Sequence, residues 1–82
     1  MNSFEYTVKD ENGIHARPAG LIVKEAQKYD FDITIELGEK QASTKKLLAL
    51  MGMGIKKGDT IRVRAPEGKD ISSLREFFER TI

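Results

Sequence analysis

The chain has 82 residues, with 14 Lys or Arg against 13 Asp or Glu, a single histidine, no cysteine and a net charge of +1. One domain, residues 1–82, fills that length; so short a chain buries only about 60% of its unfolded surface, which excludes a deep enclosed site and puts function on the exterior. The balanced charge offers no field for nucleic acid, the missing cysteines exclude disulfides and thiolate metal sites, and one histidine leaves zinc too few ligands.

In chain order, Phe4-Glu5-Tyr6-Thr7-Val8-Lys9 alternates apolar and polar residues, the period of a strand buried on one face. From Ala16 to Lys28, Ala19, Ile22, Val23 and Ala26 recur at helical spacing and form a core stripe. Phe31 to Leu37 alternates again, and Gly38-Glu39 suits a type II′ turn into a short strand at Lys40–Ser43. Lys46 to Met51 reads as a short apolar helix ahead of Gly52 and Gly54. Thr60 to Ala65 is the last alternating strand, and Asp70 to the C-terminus a helix that buries Ile71, Leu74 and Phe78, with Asp70 as N-cap. The order β-α-β-β-α-β-α, with a polar face on each long strand (Glu5, Thr7, Asp32, Thr34, Glu36, Arg62, Arg64), predicts an α+β open-faced sandwich. In it an antiparallel sheet carries all three helices on one side. No apolar run approaches the roughly 20 residues of a membrane span, and the polar start lacks a signal-peptide core. A cytoplasmic, soluble protein is expected.

The informative segment is Gly13-Ile14-His15-Ala16-Arg17-Pro18. Pro18 suits a first helical turn, where its missing N–H breaks no hydrogen bond. A helix starting at Ala16 places His15 at the N-cap, beside the free N–H groups of Ala16 and Arg17. Such a terminus attracts anions. A phosphoryl group on His15 would meet those donors, with Arg17 adding a charge-assisted contact. The same dipole disfavours imidazolium and keeps the ring neutral and nucleophilic. Asn12 has two readings, a phosphate contact or a turn residue. A lone histidine is more often a plain surface or capping residue, and general-base catalysis is the chemical rival. The latter needs a nucleophile and an oriented partner, for which the sequence offers no second histidine and no cysteine.

The first helix also has an opposite face of Arg17, Gly20, Leu21, Lys24 and Lys28. Gly20 costs about 1 kcal/mol against Ala inside a helix, which is easier to accept where a partner backbone approaches. The second helix is apolar nearly all round (Leu47, Leu48, Leu50, Met51), more than one side can bury. Leu50 is assigned to the core. Exposed apolar groups ringed by lysines suggest protein docking, and Met51 and Met53 suit several partners. The plainer alternative packs all three leucines inward and leaves the lysines solvated.

Gly-Ile-His-Ala-Arg-Pro-Ala at 13–19 resembles the phosphorylation-site signature of the HPr family. So do Gly38-Glu39-Lys40, the run from Leu47 to Ile55, and Lys57-Gly58-Asp59-Thr60, so the resemblance spans nearly the whole chain. It implies a sheet ordered 1-4-2-3 and a phosphocarrier of the sugar phosphotransferase system, a carrier rather than an enzyme. Phosphate would pass from phosphorylated enzyme I to the δ nitrogen of His15, then to the IIA domains of sugar transporters. It also implies partner contacts on the first two helices (Gly20, Leu21, Lys24, Leu47, Leu48, Met51), no cofactor, no metal, and no direct membrane insertion. A carrier with one exposed face should be monomeric when free. Many relatives carry a regulatory serine immediately before the second helix. The register puts Lys46 there, so serine-type regulation is not expected, although Ser43 and Thr44 lie nearby. A regulatory paralogue that binds without feeding a transporter is the alternative reading.

Overall fold

The computed structural model describes all of residues 1–82. Its elements are β1 (Ser3–Thr7), α1 (Ala16–Ala26), β2 (Thr34–Leu37), β3 (Lys40–Ser43), α2 (Leu47–Gly52), β4 (Thr60–Arg64) and α3 (Ser72–Thr81). The sheet order is β1-β4-β2-β3, with every neighbouring pair antiparallel.

Register turns the alternation of each strand into continuous rows. Val63 lies opposite Phe4 on one side and Ile35 on the other, and Ile35 lies opposite Ala42. This row and the Tyr6–Ile61 pair are buried. Onto them pack Ala19 and Ile22 of α1, Leu50 of α2, and Leu74, Phe77 and Phe78 of α3, in one core; Ala26, at the end of α1, is also buried. Phe78 sets its ring edge-on to Phe4 and Tyr6, with centroids 5.8 and 5.7 Å apart, an arrangement aromatic quadrupoles favour. The intervening rows are polar. Arg62 stands between Glu5 and Glu36, and the Arg64 guanidinium donates to Glu36 Oε2 at 2.6 and 3.2 Å. The helices therefore lie on one face, as the sandwich expectation requires. No helix of the chain is long and apolar enough to cross a membrane.

The hairpin turn follows its glycine. Gly38 has φ of +60° and no non-glycine residue has positive φ, the combination a type II′ turn demands of Gly38-Glu39. Several element ends differ from the sequence pattern. Val8 and Lys9 alternate correctly but leave the sheet, because their N–H groups bond to Asp59 and Ile82 carbonyls rather than to a strand. Ile33 is buried outside β2, its carbonyl taken by the Thr44 N–H at 2.8 Å. The first helix stops at Ala26, not Lys28, since Lys28 and Tyr29 turn back onto Glu25 and Ala26 through three-residue hydrogen bonds.

Asp70 is not the N-cap of α3; Ile71 is. The Asp70 carboxylate stands one residue earlier, where Oδ1 accepts the Ser72 N–H at 3.2 Å, the Ser72 hydroxyl at 2.7 Å and the Met1 ammonium at 2.9 Å. It still serves the helix start, and it ties the N-terminus to α3. Those donors, the Ser72 hydroxyl first, stabilise the carboxylate and lower its pKa from 3.8 to about 2.

Candidate functional site

The loop from β1 to α1 is held at both ends. Val8 exchanges hydrogen bonds with Gly58 and Asp59, and the Lys9 and Asp10 N–H groups donate to the Ile82 carbonyl at 3.2 and 2.8 Å. Asp10 then closes a turn: Oδ1 accepts the Asn12 N–H at 2.9 Å, and its carbonyl accepts the Gly13 N–H at 3.0 Å. A carboxylate closing a turn two residues on is a common Asp function. Gly13 takes φ of +67°, and a Cβ there would lie 2.1 Å from the Ile55 carbonyl oxygen, so two backbones meet at that point. The next N–H, of Ile14, donates to that same oxygen at 3.0 Å, and the Ile14 side chain is buried.

With Ile14 anchored inward, His15 is turned out. It occupies the N-cap of α1 in extended conformation, with 43% of its side chain exposed. Its side chain does not cap the helix, and Nε2 lies 3.9 Å from Asp10 Oδ1. The first helical hydrogen bond runs from the Ala19 N–H to the His15 carbonyl at 2.9 Å. Pro18 has no N–H, and those of Ala16 and Arg17 have no acceptor within the chain. Ala16 and Arg17 are exposed, and Arg17 enters none of the ion pairs. The result is an exposed imidazole at the start of a helix whose first two amides are free, with the unpaired Arg17 side chain two residues on. Such a set can bind an anion covalently attached to the ring. Asn12 lies within the turn, its side chain exposed.

The helices beside this point expose apolar side chains. Leu48 is 81% exposed, and Leu47, Met51 and Leu21 are also exposed, whereas Leu50 is fully buried. Lys24 is exposed on the Leu21 side of α1, Gly20 is half-buried, and a Cβ on Gly20 would meet nothing within 4 Å. Helices α1 and α2 pack against each other. Met53 departs from the surface role read for it: it is buried in the core just after α2, leaving Met51 as the exposed methionine of the pair. Lys46 is the N-cap of α2 and makes no side-chain cap. Ser43 Oγ accepts the Lys45 N–H at 3.2 Å, and Thr44 is fully buried, so neither hydroxyl caps α2. The Asp10 carboxylate beside His15 is a feature the sequence reading did not single out. The signal available was the Asp-x-Asn-Gly turn spacing, which fixes a turn without saying what its carboxylate faces.

Residues 2–80 match the family described as the PTS HPr component phosphorylation site. The chain is 37% identical over all 82 residues to the phosphocarrier protein HPr of Mycoplasma capricolum, covering 91% of that protein. Among solved structures, HPr-C-His from Thermoanaerobacter tengcongensis superposes with a TM-score of 0.85 at 29% identity, over 99% of this chain and 94% of that one. The histidine-containing phosphocarrier protein of a mycoplasma gives 0.81 at 37% identity, over 96% and 89%. HPr from Bacillus anthracis gives 0.81 at 31%, over 98% and 94%. Sequence and fold thus agree on one family. The chain belongs to the HPr family, the phosphocarrier component of the phosphotransferase system that drives sugar transport.

Proposed function

We propose that this protein is a stoichiometric carrier that accepts a phosphoryl group on His15 from phosphorylated enzyme I and delivers it to IIA domains of sugar transporters. The observation that carries the reading is the exposed His15 ring at the N-cap of α1, beside two backbone amides without acceptors. The Nδ1 lone pair attacks phosphorus, the donor's P–N bond breaks, and its electron pair returns to the donor nitrogen. The amides of Ala16 and Arg17 and the Arg17 guanidinium take the phosphoryl oxygens, and Asn12 supplies a further donor. Charge-assisted bonds of this kind are about twice as strong as neutral ones, yet the group stays exposed enough to leave. Gly20, Leu21, Lys24, Leu47, Leu48 and Met51 form the partner surface. A face of apolar anchors with a basic rim can serve each partner in turn.

Lys46 occupies the position of the family's regulatory serine. It has no hydroxyl to phosphorylate, so serine-type regulation is absent from this carrier. The protein acts in the cytoplasm as a single domain and is a monomer between encounters. Incubation with phosphoenolpyruvate, magnesium and enzyme I adds one phosphoryl group to the wild type and none to His15→Ala. A His15→Ala protein that still takes up label refutes the assignment, and sugar phosphorylation by a reconstituted transporter distinguishes a working carrier from a binding-only regulator.

A further inference from the structure

We infer that Asp10 is a positioning residue for His15, holding the hydrogen on Nε2 so that Nδ1 presents its lone pair, and stabilising the cationic ring that phosphorylation creates. The inference rests on the carrier function proposed for His15 and adds a group that acts through the ring without touching the phosphate.

The carboxylate is held in place. The Asp10 N–H is bound to the Ile82 carbonyl at 2.8 Å, its carbonyl takes the Gly13 N–H at 3.0 Å, and its Oδ1 takes the Asn12 N–H at 2.9 Å. These bonds fix the turn, and Oδ1 then sits 3.9 Å from His15 Nε2. At that separation the interaction is Coulombic rather than a direct hydrogen bond. The other acidic residue of the loop is committed elsewhere, because Glu11 Oε1 pairs with Lys57 Nζ at 2.8 Å. Asp10 is therefore the loop carboxylate that faces the ring.

A negative charge beside Nε2 favours the tautomer with hydrogen on that nitrogen, leaving Nδ1 as the nucleophile. When the P–N bond forms at Nδ1, the hydrogen stays on Nε2 and the ring acquires a positive charge. The donor imidazole loses one, because it regains the electron pair of its broken P–N bond. No proton needs to move. The unpaired amides at the start of α1 welcome the dianionic phosphoryl group but oppose a cationic ring. Asp10, facing Nε2, offsets that opposition. The site thus separates its tasks, with the helix terminus serving the phosphate and the turn carboxylate serving the imidazole.

Asp10→Asn isolates the charge, since its side-chain oxygen can still accept the Asn12 N–H and keep the turn. Nitrogen NMR of the unphosphorylated proteins, at a pH where the ring is neutral, reads the tautomers directly. In the wild type Nε2–H is enriched over a histidine in a short peptide, and in Asp10→Asn the ratio relaxes to the peptide value. The equilibrium of phosphoryl exchange with phosphorylated enzyme I shifts towards the donor by about fivefold in the variant, the worth of a charge pair at this distance in near-bulk solvent. The shift shrinks in high salt. A variant that folds with the wild-type Asn12 amide signal yet keeps both the tautomer ratio and the exchange equilibrium overturns the role of Asp10, while His15 remains the carrier. If enzyme I fails to phosphorylate the wild type, the carrier reading falls, and the tautomer comparison still decides on Asp10.

Discussion

Replacing Gly13 by Ala attacks the point where the backbone of the loop bearing His15 comes closest against Ile55 in the segment after α2. An L-residue at φ of +67° pays about 1–2 kcal/mol for the left-handed backbone. The added methyl would stand 2.1 Å from the Ile55 carbonyl oxygen and 2.7 Å from the Lys56 Cα, both backbone atoms that cannot rotate away. The two segments must therefore separate, which loses the 3.0 Å bond from the Ile14 N–H to that oxygen, worth about 0.5–1.5 kcal/mol. Loosening Ile14 raises the total to about 2–4 kcal/mol, a large share of the 5–15 kcal/mol typical of a domain. With a urea slope of about 1 kcal/mol/M, the unfolding midpoint falls by about 2 M or more. The same chemical change at Gly20 is the control: a Cβ there meets nothing within 4 Å and the site is helical, so Gly20→Ala raises stability by about 0.5–1 kcal/mol. Urea titrations of both variants, followed by far-UV circular dichroism, make the comparison. A Gly13→Ala protein that loses less than about 1 kcal/mol means that the loop yields cheaply and that the Gly13–Ile55 contact does not hold His15 in place.

Two neighbours on α2 should separate docking from folding. Leu50→Ala, at a fully buried site, costs about 2–5 kcal/mol of stability in denaturation. Leu48→Ala, at an 81% exposed site, changes stability by less than about 0.5 kcal/mol yet slows phosphoryl exchange with enzyme I; unaltered exchange kinetics would remove Leu48 from the partner surface. Asp70 supplies a pH test. Its carboxyl is held at about 2, below its ordinary 3.8, by the Ser72 hydroxyl and the Met1 ammonium. A depressed carboxylate stabilises the fold at pH above its unfolded value, and that contribution is lost as pH falls through the folded one. The thermal midpoints of wild type and Asp70→Asn therefore converge between about pH 4 and pH 2, the window set by the two acidities; a constant gap excludes the interaction.

Local pattern was enough for much of this protein. Alternation in Phe4–Thr7, Thr34–Leu37 and Thr60–Arg64 marks strands because a pleated chain shows successive side chains to opposite faces. Ala19, Ile22 and Ala26 mark the buried stripe of α1 by helical spacing, and Pro18 marks its first turn. His15 at the N-cap follows from these neighbours alone, as does the Gly38 turn. The glycine-bearing signature around His15 was also enough to suggest the family.

What the sequence could not supply depends on residues far apart in the chain. Placing β4 between β1 and β2 brings Asp59 to Val8 and thereby ends β1 at Thr7, where the alternation itself runs on to Lys9. The end of α3 brings the Ile82 carbonyl to Lys9 and Asp10, and the segment after α2 brings Ile55 against Gly13. Met53 reads as a flexible surface residue by type, but the chain leaving α2 turns it into the core. Asp70 reads as a cap by type, and its helix starts two residues later because Ile71 is buried and Met1 reaches across to share the carboxylate. Periodicity records how a segment relates to its own neighbours. Which carbonyl meets which amide, and which carboxylate faces the histidine, is decided only when the sheet order closes the chain around one core.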